Sequence, residues 1–494
     1  MSKEFIILLT LIVYIILLIT LGYFGSRKTH DNTDFFIGGR TIGPFVASMS
    51  YVASSASAWV MLGLSGLGYA VGISALWVVP GLVLGHGFSW IWVAPRLQKL
   101  SHEKKLITVT DILILEGSDA TKKQIRIFTA LIIIFCFMFY VAAQLQAAGG
   151  TFAVTFDLSL TNSILLGGFV IMTYTMLGGF WAVSLTDTLQ GTLMMFASLL
   201  LPILALIEVG GLGEFWKNYQ TVATVEQLSI SDSNTGLMFI GFLLGSMSIG
   251  LGAMGQPHLL TRFMSMKSGD KMRMAQGIAI SCFAVSMTGM IVLGMCGKIM
   301  VDEISNTENI FFVLADSLLP VVLGGIMVAA VLSAVLSTAD SQLLVSASSI
   351  AHDLMGEADE GHNRLFVSRV VIGVLCVFAV IVSIYLPSDI FARKANGGIA
   401  PVLKAGDSWS IRESIKDVYL SSDFHFEFDD KHLTILLGAK YVKSEVKSSG
   451  FVQTITDIEY NSLDSTSLNL SLSEPIYEQQ RNPYQHLLPS INLK

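Results

Sequence analysis

Ten apolar runs between residues 5 and 386 restrict what this chain can become. Each is roughly 17–25 residues long, enough to carry a helix across a bilayer. They lie at 5–24, 42–67, 73–94, 127–146, 164–180, 188–207, 237–254, 278–297, 321–345 and 370–386. Backbone polar groups in hydrocarbon must be satisfied internally, so runs of this length become helices. The expectation is an all-α polytopic membrane protein of about ten spans. The first run exceeds a signal-peptide core and lacks a small-residue cleavage site, so it reads as a retained helix.

Charge divides the chain in two. Ser388 to Lys494 carries 14 acidic and 11 basic residues, about 23% of that stretch, close to the roughly 25% of soluble domains. Residues 1–387 hold the other 42 charges, about 11%, well below that level. We therefore expect a membrane core over 1–387 and a polar tail over 388–494. A net charge of -7 leaves no basic excess for nucleic acid. The nine histidines form no metal-like spacing, and no phosphate loop or nucleophile elbow is present. Nothing marks a catalytic residue, so the expectation is not an enzyme. Cys136, Cys282, Cys296 and Cys376 lie in apolar stretches and suggest no disulfide framework.

Basic residues set the expected sidedness. One set of alternate loops carries Arg27, Lys28 and Arg40; Arg96, Lys99, Lys104, Lys105, Lys122, Lys123 and Arg126; Arg262, Lys267, Lys271 and Arg273; and Arg364 and Arg369. The opposite set carries only Lys3, Lys217 and Lys298. The positive-inside bias places the first set in the cytoplasm of an inner (plasma) membrane protein. It puts the N-terminus and the tail outside.

Two spans are broken by their own composition. The second holds Ala53-Ser54-Ser55-Ala56-Ser57-Ala58 and then Gly63, Gly66 and Gly68. The seventh reads Gly245-Ser246-Met247-Ser248-Ile249-Gly250-Leu251-Gly252, then Gly255-Gln256-Pro257-His258. Small residues permit close helix packing, and they also permit an unwound segment whose freed carbonyls bind a cation. Two interrupted segments five spans apart point to an inverted repeat with a central site.

Two acids lie among apolar spans. Asp340 follows Ser337 and Thr338 and precedes Ser341, with Ser337 and Ser341 four apart on one helical face. Hydroxyls with a carboxylate are hard oxygen ligands suited to a hard cation such as Na+. Asp187, in Ser184-Leu185-Thr186-Asp187-Thr188, reads as an ion ligand or as the N-cap of the sixth span, and the two are not exclusive. Trp59 and Tyr140 either line a solute cavity or pack within the bundle. Gln144 and Gln146 read as helix bridges, and His86 as a hydrogen-bond partner without further role.

Four segments together resemble the sodium:solute symporter family, most closely its sodium/proline branch. They are Gly38-Gly39-Arg40-Thr41-Ile42-Gly43-Pro44-Phe45, Thr186-Asp187-Thr188-Leu189-Gln190, Gly255-Gln256-Pro257-His258-Leu259-Leu260-Thr261-Arg262-Phe263, and Ser337-Thr338-Ala339-Asp340-Ser341-Gln342-Leu343-Leu344-Val345. The resemblance covers roughly residues 1–393. It implies a leucine-transporter-like inverted repeat with an extra N-terminal helix, and a Na+-coupled symporter for a small organic solute. By motif position, the main Na+ site would join the carbonyls of Ala53, Ala56 and Ala334 to the side chains of Ser337 and Thr338. A second Na+ site would map to Asp187, Ser337, Asp340 and Ser341. Trp59 and Tyr140 match positions near the solute cavity.

The chain departs from that branch at three points. Ser55 stands where the branch has an aspartate, and Ile249 and Ala253 stand where it has aromatics, which weakens the case for proline itself. The fifth helix of the second repeat is expected to be missing, since the resemblance stops near Ala392-Arg393. The tail shows period-two alternation at Phe424, Phe426 and Phe428, and strand-like stretches at 432–437, 452–456 and 468–472. It reads as an appended β-rich domain or as a fusion of unrelated sequence, with the abrupt break favouring fusion. The expected partners are a small solute and the bilayer; no obligate protein partner is inferred. The alternatives to transport are a solute-binding membrane receptor and a truncated, inactive symporter.

Overall fold

The computed structural model describes residues 3–355 except 30, 157, 232–233, 235 and 268–270, then 362–385, and in the tail 410–428, 431–452, 455–460, 468–472 and 476–493. The chain separates into two compact units, Met1–Phe391 and Ala392–Lys494.

Among the described residues, eight helices of the first unit are long and apolar enough to cross a membrane. One of them, Trp59–Lys104, changes direction at Gly72, whose φ of 68° and ψ of -132° no helix contains. Leu160–Thr173 is a shorter apolar helix. The expected runs lie largely in helices, with the second interrupted at Ala56. The boundaries differ where polar residues prolong a helix. The fourth span runs Asp119–Phe156, because Lys122, Lys123 and Arg126 continue its first turns beyond the apolar run.

Spans five and six lie in one element, Leu160–Glu208, divided at Gly179 (φ 57°, ψ -154°). Forty-nine residues of straight helix would measure about 74 Å, more than twice the apolar thickness of a bilayer, so the chain must turn there. Helix resumes directly after Gly179. Asp187 is therefore inside the sixth span and is not its N-cap.

Both predicted breaks are present. Helix Pro44–Ser55 begins on Pro44, whose fixed φ suits a first helical turn, and ends where Ala56 takes φ -91° and ψ 79°. Helix returns as a π turn, Trp59–Gly63, and continues as Leu64–Val71. In the seventh span Leu237–Ser248 passes into a 3-10 stretch, Ile249–Gly255. Gln256 is then extended (φ -80°, ψ 112°), as a residue before proline is driven to be, and Pro257–Ser265 follows. The two broken spans are tied by a parallel bridge. Ile42 N–H donates to Ser265 O at 3.2 Å, and Lys267 N–H to Ile42 O at 2.9 Å.

Helix Val321–Ser348 runs through the middle and is buried almost continuously from Met327 to Ser348. Glycines let neighbouring spans close on each other. A Cβ on Gly68 would overlap the Ile291 carbonyl, and one on Gly294 would overlap that of Ser65.

The second unit is described by its backbone. Ser410–Phe428 pairs antiparallel with Lys431–Val452, which pairs with Ile476–Leu493. Ile455–Tyr460 and Leu468–Leu472 form a separate antiparallel pair. The expected break at Ala392-Arg393 lies outside the described residues.

Candidate ion and solute site

The last turn of a helix leaves carbonyls without intrahelical partners. In Pro44–Ser55 that turn lies against the middle of Val321–Ser348. Ser337 Oγ has one proton and three carbonyls within reach, Ala53 O at 2.9 Å and, on its own helix, Ser333 O at 2.7 Å and Ala334 O at 3.4 Å. Thr338 Oγ1 donates to Ala334 O at 3.0 Å. Ala53, Ala334 and Ser337 are fully buried, and Ala56, at the break itself, and Thr338 nearly so. The structure thus gathers uncharged oxygens from a helix break and a continuous helix, shielded from water. Such a set replaces the hydration shell of a small hard cation without a full countercharge.

One turn away lies a buried ion pair. Arg262 Nη2 donates to Asp187 Oδ2 at 2.9 Å, with both side chains at most 1% exposed. Asp187 Oδ2 also accepts from Ser50 Oγ at 2.6 Å and Ser54 Oγ at 3.1 Å. The guanidinium further donates to Ser50 Oγ (3.2 Å), Ser54 Oγ (2.8 Å), His258 O (2.6 Å) and Ser341 Oγ. Its planar face lies 5.2 Å from the ring centre of Phe180. Ser54 and Ser341 hydroxyls are 3.0 Å apart, and Ser341 Oγ donates to Asp340 Oδ1 at 3.1 Å.

Asp187, Asp340 and Ser341 are therefore brought into one cluster, beside Ser337. Between Asp187 and Ser341, however, stands a guanidinium. Arg262 belongs to this buried cluster and not to a cytoplasmic loop, which corrects its place in the charge pattern. Its helix, Pro257–Ser265, is short and buried along most of its length, so a charge near a span end is enclosed by neighbouring helices. The sequence assigned none of Ser50, Ser54 and Arg262 to an ion or solute site. The signal available was the Ser50/Ser54 spacing of four, which puts both hydroxyls on one face.

The solute-side residues are less concentrated. Trp59, Tyr140 and Ile249 are 40%, 39% and 46% exposed, whereas Ala253 is buried. The Trp59 indole lies over Gly63. Ser55 Oγ turns back onto its own helix, donating to Tyr51 O at 2.7 Å. Gln144 does more than bridge helices: its Oε1 accepts from Ala58 N–H at 3.3 Å, inside the break. His86 Nδ1 and Tyr51 Oη are 2.9 Å apart, and the imidazole stacks on Phe283. From the N-terminal helix Lys3–Ser26, Tyr14 Oη meets Ser333 Oγ at 2.7 Å.

Broken helices meeting a continuous one at carbonyl and hydroxyl oxygens, in a bundle of membrane spans, define an ion-coupled secondary transporter. The fold agrees with that of a Na+-coupled sialic acid symporter solved in a substrate-bound outward-open state. The TM-score is 0.67 at 18% identity, covering 78% of this chain and 83% of that one. The sodium:solute symporter family model matches residues 35–402. Curated sodium/proline symporters of Staphylococcus aureus, strains JH9 and NCTC 8325 among them, are 34% identical over 389 residues, 76% of this chain and 75% of theirs. The chain belongs to the sodium:solute symporter family. It is a multi-pass membrane protein with the leucine-transporter-like fold, and it couples movement of a small solute to Na+.

Proposed function

We propose that the coupling ion binds where Ser337 now bridges to Ala53, held by the carbonyls of Ala53, Ala56 and Ala334 and the hydroxyls of Ser337 and Thr338. The observation that carries this is the Ser337 Oγ to Ala53 O hydrogen bond at 2.9 Å, which joins the broken span to the continuous one. An ion there ties the same two elements together. It favours the conformation in which both halves of the site are assembled, so ion and solute affinities rise together by linkage. Rocking of the broken spans against the continuous ones then exposes both to the other side. The basic loops face the cytoplasm in this reading, the membrane is the plasma membrane, and no protein partner is required.

The solute is a small amino-acid-like molecule, and proline is the first to test, given the names of the 34% identical relatives. Ser55, Ile249 and Ala253, where the chain departs from the sodium/proline branch, would tune it. The test is uptake into liposomes under an inward Na+ gradient, with a panel of amino acids, carboxylates and sugars. Na+-driven accumulation of one of them is expected. For Ser337→Ala with Thr338→Ala, the Na+ concentration for half-maximal uptake should rise at least about ten-fold, from two hydroxyl ligands worth ~1 kcal/mol each. An unchanged Na+ requirement in that double variant would overturn the site. Solute binding without accumulation would mark a receptor instead.

A further inference from the structure

We propose that an anionic phospholipid binds this transporter in a groove beside the cytoplasmic end of the third span, with its phosphate on Arg96. The groove has a volume of about 580 Å³ and is lined by apolar side chains with one charged residue, Arg96. Phe88 and Trp92 form one wall, 42% and 50% exposed, with ring centres 4.7 Å apart. Leu97 of helix Ala94–Lys104 continues it. The floor is Ile112 of the short helix Val109–Leu113 and Leu260 of Pro257–Ser265.

An apolar groove on a membrane span is filled by a lipid chain in any case, and the chain gains little by leaving its neighbours for it. Selectivity must come from the headgroup. Arg96 Nη1 donates to Trp92 O at 2.7 Å, and the side chain is exposed with no ion pair among the described residues. A guanidinium has five N–H donors in a planar fork that matches a phosphate. Lys99, exposed one turn on, is paired with Glu103 at 3.8 Å, which leaves Arg96 as the free positive charge at the groove. Basic pockets between spans at the cytoplasmic side select anionic headgroups for this reason. Leu260 lies two residues from Arg262, so a lipid in the groove touches the short helix that carries the buried ion pair.

The test uses the purified, delipidated full chain, with retained lipid measured by native mass spectrometry after exposure to phosphatidylglycerol or phosphatidylcholine. Phosphatidylglycerol should be retained about five-fold better, the factor expected for one basic residue at an anionic surface. Arg96→Gln should bring the two lipids to parity, and Arg96→Lys should restore part of the preference. Leu97→Trp, which fills the groove, should reduce retention of both. Equal retention of the two lipids by the unmodified chain would overturn the proposal, as would a full preference in Arg96→Gln. If Leu97→Trp does not fold, the Arg96 pair decides alone. None of these readouts depends on transport, so failure here is separable from failure of the ion site.

Discussion

Arg262 makes hydrogen bonds to three serine hydroxyls, a backbone carbonyl and the Asp187 carboxylate, all out of contact with water. A buried pair of this kind is weak evidence for net stability, but removing one partner leaves a buried charge uncompensated and costs about 3–5 kcal/mol. Asp187→Asn and Arg262→Gln should each lower the thermal midpoint of the purified protein strongly. The double variant should lose much less than their sum, since neither charge is then stranded. Additive losses would mean that the two residues do not depend on each other. A second consequence concerns ion number. Arg262 stands between Asp187 and Ser341, where a second Na+ would otherwise bind, so a Hill coefficient near one is expected for Na+ activation of uptake. A coefficient near two would show that the guanidinium leaves this position during the cycle.

At the scale of elements, helix Met272–Met300 offers a controlled comparison. A Cβ on Gly294 would overlap the Ser65 carbonyl in the second span, whereas Gly277 has nothing within 4 Å. Gly294→Ala should cost about 1–3 kcal/mol through forced backbone movement. Gly277→Ala should be neutral or stabilising by up to ~1 kcal/mol, from helix propensity alone. Denaturation of the two variants in the same detergent checks both signs.

The short helix Val109–Leu113 depends on its own cap. Thr108 and Asp111 form a reciprocal capping box, and Asp111 Oδ2 also accepts from Ile107 N–H at 2.9 Å. Burial pushes the Asp111 carboxyl up, but His352 and the N–H groups of Thr108 and Ile107 outweigh it and hold it below the usual carboxylate range. A depressed carboxylate stabilises the fold above its unfolded pKa, near 3.9, and that stability is lost as pH falls through the folded value. Asp111→Asn should therefore lower the thermal midpoint at pH 7, and the gap to the unmodified chain should narrow toward pH 3. A gap that stays constant with pH would exclude the carboxylate charge as the cause.

For the molecule as a whole, the hydropathy of residues 5–386 was enough to show a helical membrane protein, because a bilayer admits little besides helices of that length. The glycine, serine and proline content of the second and seventh spans pointed to both breaks, since those residues permit unwinding, although the equally small-residue-rich Val321–Ser348 is continuous. Ser337 stood out in the sequence as a hydroxyl near a carboxylate in an apolar span, and the structure places it against the break at Ala53. The position of Arg262 was not legible. In one dimension, a charge near the end of a run looks like a loop charge. Only packing shows that Pro257–Ser265 folds back under its neighbours and delivers the guanidinium to a carboxylate 75 residues earlier in the chain. Asp187 was ambiguous for the same reason: a cap and a buried carboxylate share one local sequence, and the turn at Gly179 removes the cap. Local composition settled which segments are helical and where they break. Tertiary structure settled which polar groups meet, because that depends on contacts between residues far apart in sequence and on the exclusion of water around them.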